Sequence, residues 1–251
     1  MNSSPRPLAI VSGGSRGLGY ESARGLAARG YDLALIAKDP AGLTAAKEQL
    51  LSEFSATQPG LSITTHPADL ENQEITRKVA EEIRSSLPTA QVLVLAHGVM
   101  SEKMSKTLRT TDAEWNRVMA INLDSVFTLV NVLAPAMTEA RNGRVVIYSA
   151  CLGRMSGPGN AGGLAPYRIS KAGVNALVRN LAHETGLGAR GLYVDAICPN
   201  HSRTDMGGPD APRSAEEGAE TAIWLATADI AERGSDQVTG LLWEDRKVVP
   251  F

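Results

Sequence analysis

Five short apolar runs, Leu8 to Val11, Leu33 to Ala37, Val92 to Ala96, Arg144 to Ser149 and Tyr193 to Cys198, recur along the chain with longer amphipathic stretches between them. Apolar runs without alternation suit strands buried on both faces, and the intervening stretches are long enough for helices. That order is βαβαβ, which restricts the chain to an α/β domain with a doubly wound parallel sheet and helices on both faces. Between Thr111 and Ala140, Trp115, Met119, Asn122 and Val126 stand at helical spacing, and Val174, Leu177, Val178 and Leu181 repeat the pattern. Both segments are expected to be helices packed on the sheet. No solenoid-period repeat or linker divides the sequence, so one domain is expected over residues 1–251.

With 43% hydrophobic and 21% charged residues, the chain can bury a substantial core. A net charge of −2 without a long basic stretch points away from nucleic acid and anionic membranes and toward small-molecule partners. Cys151 and Cys198 are too few for a disulfide framework and lack metal-ligand spacing, so no metal is expected and a reducing cytoplasm fits. The segment Met1 to Pro7 is polar and leads into an apolar run of only a few residues, from which neither export nor a membrane span is expected. Two Gly/Pro-rich stretches, Gly153 to Pro166 and Gly207 to Pro212, follow strands. In a doubly wound sheet that is where the ligand crevice lies.

After the first strand comes Ser12-Gly13-Gly14-Ser15-Arg16-Gly17-Leu18-Gly19, then a helical stretch. Glycines there permit a tight turn and close approach of backbone amides to a pyrophosphate, which also meets the positive end of the helix dipole. A flexible surface loop is the alternative, and the position between first strand and first helix argues against it. The spacing GxxxGxG resembles the cofactor loop of the short-chain dehydrogenases/reductases. That resemblance implies a single-domain Rossmann fold in which Gly13, Gly17 and Gly19 line the dinucleotide, together with Ser15 and Leu18, while Ser12 stands where Thr is usual.

An acid at the end of the second strand would accept hydrogen bonds from a ribose 2′-hydroxyl and repel a 2′-phosphate. The second strand ends at Ala37 and Lys38 follows; Arg16 stands in the glycine loop, where similar members carry a basic residue facing the 2′-phosphate. Two cations and no acid point to NADPH. Asp39 could still reach the ribose if the strand ran further, and Lys38 could be an ordinary surface lysine.

Tyr167-Arg168-Ile169-Ser170-Lys171 sets a Tyr and a Lys on one helix face. A phenol titrates near ~10, and an adjacent ammonium lowers that value, as proton transfer to a carbonyl requires. The family resemblance makes Tyr167 the acid/base, Lys171 the residue that holds the nicotinamide ribose and tunes Tyr167, and Asn122 the support of a proton-relay water. The alternative for Asn122 is an ordinary buried, hydrogen-bonded asparagine. Asp69-Leu70 matches the residues that contact adenine, and Asp69 could instead be a helix N-cap. Gly98 and Pro199 are implied at the cofactor, and Thr204 at the nicotinamide amide.

Three positions depart from the family pattern. Leu95-Ala96-His97-Gly98 replaces Asn-Asn-Ala-Gly, Pro199-Asn200 replaces Pro-Gly, and Ser149-Ala150-Cys151-Leu152-Gly153 replaces Ser-Ser-x-x-Gly. Asparagine tolerates positive φ, which would preserve the second turn. Ala150 cannot donate to a substrate oxygen, a loss worth about 10² to 10³ in rate, and strand alternation turns Ser149 to the opposite face. His97 reads either as a proton or hydrogen-bond donor near the cofactor or as a satisfied packing histidine. Tyr148 and the cysteines read as core or cleft wall, Cys151 having no visible base partner. The stretch from Asp195 onward looks most like the carbonyl-reductase-like members, including a helix around Glu216 to Thr221. The resemblance thus implies an NADP-dependent ketoreductase acting on a carbonyl or alcohol, as a homodimer or homotetramer joined through the helices carrying Asn122 and Tyr167. A cofactor-binding lyase, isomerase or cyclase, or a member that has lost catalysis, is the alternative that Ala150 raises.

Overall fold

The computed structural model describes residues 5–102, 105–159, 161–234 and 237–251. Its elements in chain order are β1 (Leu8–Ser12), α1 (Gly17–Ala27), β2 (Asp32–Ala37), α2 (Pro40–Phe54), β3 (Ile63–Pro67), α3 (Gln73–Ser86), β4 (Val92–Leu95), α4 (Asp112–Met119), α5 (Ser125–Glu139), β5 (Gly143–Tyr148), α6 (Ala165–Glu184), β6 (Leu192–Ile197), α7 (Ala215–Thr227), β7 (Leu242–Glu244) and β8 (Lys247–Val249). The strands form one sheet in the order β3-β2-β1-β4-β5-β6-β7-β8. Pairing is parallel from β3 through β7, and β8 alone is antiparallel. The five apolar runs are strands, three of them ending one residue sooner than the sequence suggests, at Leu95, Tyr148 and Ile197.

The strands are apolar throughout because both faces are covered. One core packs α3, α5 and α6 on the sheet through residues such as Ile83, Leu129, Met137 and Val178; the other packs α1, α2 and α7 through Leu26, Leu43, Leu50 and Leu225. Helix starts are fixed by local chemistry. Asp39 accepts from the Ala41 and Gly42 amides with Pro40 at the first helical position, Asn72 caps α3, and Ser214 with Glu217 forms a capping box on α7.

Asp112 to Glu139 is one long helix interrupted by a π-helical turn at Ala120–Asp124. Its buried side is Val118, Asn122 and Val126, while Trp115 is 36% exposed, so the expectation that Trp115 packs on the sheet is corrected. The π turn adds residues between α4 and α5 and carries Asn122 inward. By length and apolarity this helix could cross a bilayer; here Leu129, Leu133 and Met137 bury its apolar face in the core.

Asp195 and Arg233 form an ion pair at 2.6 Å with both side chains 1% exposed. Asp195 also accepts from Leu241 N and Trp243 Nε1, each at 3.2 Å, and Arg233 donates to Leu225 O at 3.0 Å, so the pair ties β6 to β7 and α7.

Candidate active site

Strand order reverses between β2 and β4 on either side of β1, and the crevice beyond their carboxyl ends is where an open α/β sheet takes ligands. The glycine turn sits there. The Gly13 and Gly14 amides donate to Ile36 O at 2.8 and 3.2 Å, and Gly13 and Gly17 have φ of +71° and +55°, the left-handed region that favours glycine. A Cβ on Gly13 would lie 2.9 Å from His97 N, and one on Gly19 would strike the Gly13 carbonyl. Arg16, at the N-cap of α1, gives the helix no side-chain hydrogen bond, which leaves the first amides of Gly17 and Leu18 to the crevice. Ser15 stands beside Gly42 at the start of α2, and Ser12 is fully buried.

Lys38 directly follows β2 and pairs with Asp69 at 2.7 Å; Arg16 pairs with Asp205 at 2.8 Å. Each pairing holds the acid near the cation, and the hydrogen bond to Lys38 lowers the Asp69 carboxyl below its usual range. Asp39 is committed to the α2 cap. The N-cap reading of Asp69 is corrected, because Asn72 caps α3, while Asp69 accepts the Glu71 amide at 3.2 Å and pairs with Lys38. Leu70 is buried in the core on the α3 side.

A cavity of about 410 Å³ continues from the glycine turn across the ends of β4, β5 and β6. Leu18, His97, Gly98, Ala150, Tyr167, Lys171, Pro199 and Thr204 all line it. Tyr167 lies in the first turn of α6, which begins from Leu164 at φ +52° with Pro166 behind it. Its amide donates to Ser101 Oγ at 2.8 Å, and the Ala165 amide donates to Ser105 O at 2.8 Å, so the loop after β4 fixes the start of α6. Lys171, one turn on, is buried; its Nζ donates to Tyr148 O at 2.7 Å and lies 6.0 Å from the Tyr167 ring centre. Burial pushes the ammonium down to about 8 and pushes the Tyr167 phenol up. Asn122 Nδ2 donates to Val99 O at 2.9 Å and Ser170 Oγ at 3.1 Å, while its Oδ1 accepts the Val99 amide at 2.8 Å. It therefore shapes the strand end beside Gly98, where a Cβ would lie 3.6 Å from Lys171 Nζ. Thr204 packs on Gly17, at 3.2 Å from a Cβ built there.

The three departures resolve differently. Asn200 has φ +58°, so the turn survives its loss of glycine. Ala150 and Ser149 both border the cavity, but the Ser149 hydroxyl is turned onto α6, where it donates to Asn175 Oδ1 at 2.6 Å. Ser156, though near in sequence, is not among the cavity walls, and its buried hydroxyl has no partner among the described residues.

His97 uses both ring nitrogens: Nδ1 meets Ser12 Oγ at 2.5 Å and Nε2 meets Ser125 Oγ at 2.7 Å. Ser125 donates its own proton to Ile121 O at 2.7 Å, so Nε2 carries the hydrogen and Nδ1 accepts from Ser12. Burial and the Lys171 charge press this imidazole down to about 3, so it is neutral. The satisfied packing histidine is the reading this geometry supports. Sequence reasoning missed the partners because Ser12 and Ser125 lie 85 and 28 residues away. It also missed a link between the two cysteines, where the Cys151 amide donates to Cys198 Sγ at 3.1 Å.

A family model described as short chain dehydrogenase matches residues 7–215. The chain is 34% identical over 200 residues to the 3-oxoacyl-[acyl-carrier-protein] reductase FabG of Escherichia coli K12, covering 79% of this chain and 75% of that one. It is 30% identical over 198 residues to the reductase of the same name from Staphylococcus epidermidis, covering 79% and 76%. Among solved structures, a short chain dehydrogenase/reductase family protein aligns with TM-score 0.78 at 25% identity, over 95% of this chain and 94% of the other. A metagenomic short-chain oxidoreductase in complex with NADP aligns with TM-score 0.73 at 27% identity, over 89% and 91%.

Proposed function

The chain belongs to the short-chain dehydrogenase/reductase family of oxidoreductases, and we propose that it reduces a carbonyl to an alcohol with NADPH, Tyr167 supplying the proton. The observation that carries this reading is the cavity in which Tyr167 and Lys171 stand together within reach of the glycine turn. The dinucleotide, when bound, supplies the hydride. Gly13, Gly17 and Gly19 give its pyrophosphate a backbone cradle, with Ser12, Ser15 and Leu18 around it, and Gly98, Pro199 and Thr204 border the nicotinamide end. Lys171 holds the ribose, Asp69 and Leu70 adjoin the adenine, and Asn122 keeps the β4 end in shape. The Tyr167 hydroxyl, whose burial keeps it protonated at neutral pH, gives its proton to the oxygen that becomes an alkoxide, a stronger base than phenolate even when the phenol is raised.

Preference for NADPH rests on Arg16 and Lys38, on the absence of an acid at Ala37, and on the engagement of Asp39 in the α2 cap. The NADP complex of the metagenomic relative supports the same choice. We also propose a single NAD(P)-binding domain over 1–251, a cytoplasmic location, and a homodimer or homotetramer. For assembly, Trp115, Phe127 and Ile169 on α4, α5 and α6 are 36, 50 and 43% exposed.

The test is NADPH oxidation, followed by absorbance, with a panel of ketones and aldehydes. Tyr167→Phe should lower kcat about 10² to 10⁴-fold while NADPH binding stays. Tight NADPH binding with no oxidation by any carbonyl would favour a non-redox use of the site, which Ala150 in place of a hydroxyl donor supports.

A further inference from the structure

Cys151 and Cys198 line the same cavity as Tyr167, and proton transfer gives neither a task. They are 47 residues apart, yet β5 and β6 pair in parallel with Tyr148 opposite Ile197, so the two chains leave the sheet side by side. Cys198 follows β6 at once, and Cys151 opens a short 3-10 turn just beyond β5. The pairing puts Cys198 level with Ser149, and the contact from the Cys151 amide to Cys198 Sγ at 3.1 Å keeps the two Cα atoms within about 7 Å, at the edge of the roughly 4.4 to 6.8 Å that a disulfide spans. The Cys151 amide already touches Cys198 Sγ at 3.1 Å, and both cysteines are unlinked.

The two thiols are not equivalent. Cys151 is half-buried and opens on the cavity, whereas Cys198 is 2% exposed behind it. The neighbouring Cys198 thiol pulls Cys151 below the usual thiol range, and Cys151 together with burial pushes Cys198 above it. A reachable, readily ionised thiol backed by a second is the arrangement that two-electron oxidation uses.

We propose that Cys151 and Cys198 form a modification site for hydroperoxides, in which Cys151 is oxidised first and Cys198 closes it into an intrachain disulfide in the cavity wall. The Cys151 thiolate sulfur attacks the terminal peroxide oxygen, the O–O bond breaks, and an alcohol or water leaves, giving a sulfenic acid. The Cys198 sulfur attacks that sulfur, the S–S bond forms, the S–O bond breaks, and water departs with the Cys198 proton. Two electrons pass from the thiols to the peroxide, and a dithiol reductant returns them. Any consequence for turnover rests on the reductase reading, because the bridge would lie in the wall that a substrate at Tyr167 must touch; the bridge itself does not.

The experiment exposes the reduced, folded chain to cumene hydroperoxide, quenches with an alkylating agent, and reads free thiols and intact mass. Both thiols should disappear together, the mass should fall by two hydrogens, the species should stay a single chain on a non-reducing gel, and dithiothreitol should restore it. Phenylarsine oxide, which captures paired thiols, should prevent the reaction. Cys198→Ala and Cys198→Ser should each leave a sulfenic acid at Cys151 that a dimedone-type probe labels. Two titratable thiols after peroxide, or a bridge joining two chains, overturns the proposal. A reduced protein that turns over no carbonyl yet forms the bridge refutes the reductase reading and leaves this site standing.

Discussion

Replacing His97 by Asn should flatten the acid side of the stability profile. In the folded chain the imidazole is pressed to about 3, against 6.5 for a free histidine. Between those values the unfolded chain binds a proton that the folded chain refuses, so stability falls as pH falls, with a limiting slope of about 1.4 kcal/mol per pH unit. From pH 7 to pH 5 the loss comes to about 2 kcal/mol, or roughly 4 to 8 °C in Tm for a chain of this size. Asparagine keeps an acceptor near the position of Nδ1, so Ser12 retains a partner, but it cannot reach Ser125 and it does not titrate. The variant should therefore be less stable at pH 7 by about 1 to 3 kcal/mol, the cost of the lost Ser125 contact and ring packing. That deficit should shrink as the solution is acidified. The assay is thermal unfolding of parent and variant, without cofactor, at pH 7, 6 and 5. Burial also holds His66 down, and it is present in both proteins, so it cancels in the difference. Parallel Tm profiles with a constant gap would refute the neutral, doubly bonded His97.

Lys38→Ala should erase most of a preference for NADPH over NADH that is at least about tenfold in the parent, since one charge-assisted contact contributes roughly 1.5 to 3 kcal/mol; equal affinities in the parent, measured by titration, would contradict the assignment. Ala150→Ser should raise the rate of ketone reduction by up to about 10², because no hydroxyl stands at that position of the wall; a loss of more than roughly tenfold with NADPH binding intact would point to a substrate that needs the space. Arg233→Met leaves the Asp195 carboxylate buried among neutral donors and should cost about 3 to 5 kcal/mol, read as a lower urea midpoint at pH 7. A change below ~1 kcal/mol would mean that Asp195 is neutral in the folded chain.

The sheet was legible because both faces of β1, β2, β4, β5 and β6 are covered, which leaves strands such as Leu33 to Ala37 without a polar residue to break the run. The strands β7 and β8 have three residues each, too few for any period, and owe their existence to pairing with β6 and to each other. The cavity residues Tyr167, Lys171, Gly98 and Thr204 could be named in advance because each belongs to a short motif. Partnerships over long separations could not. Lys38 with Asp69, Arg16 with Asp205, His97 with its two serines and Cys151 with Cys198 arise only when the fold brings distant segments side by side, and nothing local in the sequence records them. Trp115 misled for another reason, since the π turn at Ala120–Asp124 breaks the α-helical spacing that would set it on one face with Asn122 and Val126.

The π turn at Ala120–Asp124 behaves as one residue inserted into an otherwise α-helical stretch from Asp112 to Glu139. Each residue advances an α-helix by about 100°. A chain whose hydrogen bonds closed as a regular α-helix over the same residues would swing Val126, Leu129 and Met137 by about that angle relative to Val118. Either α4 or α5 would then turn its apolar stripe to water, and Asn122 would leave the β4 end. The face that α5 gives the core is thus set by how one turn closes its hydrogen bonds, and not by the spacing of its apolar residues alone.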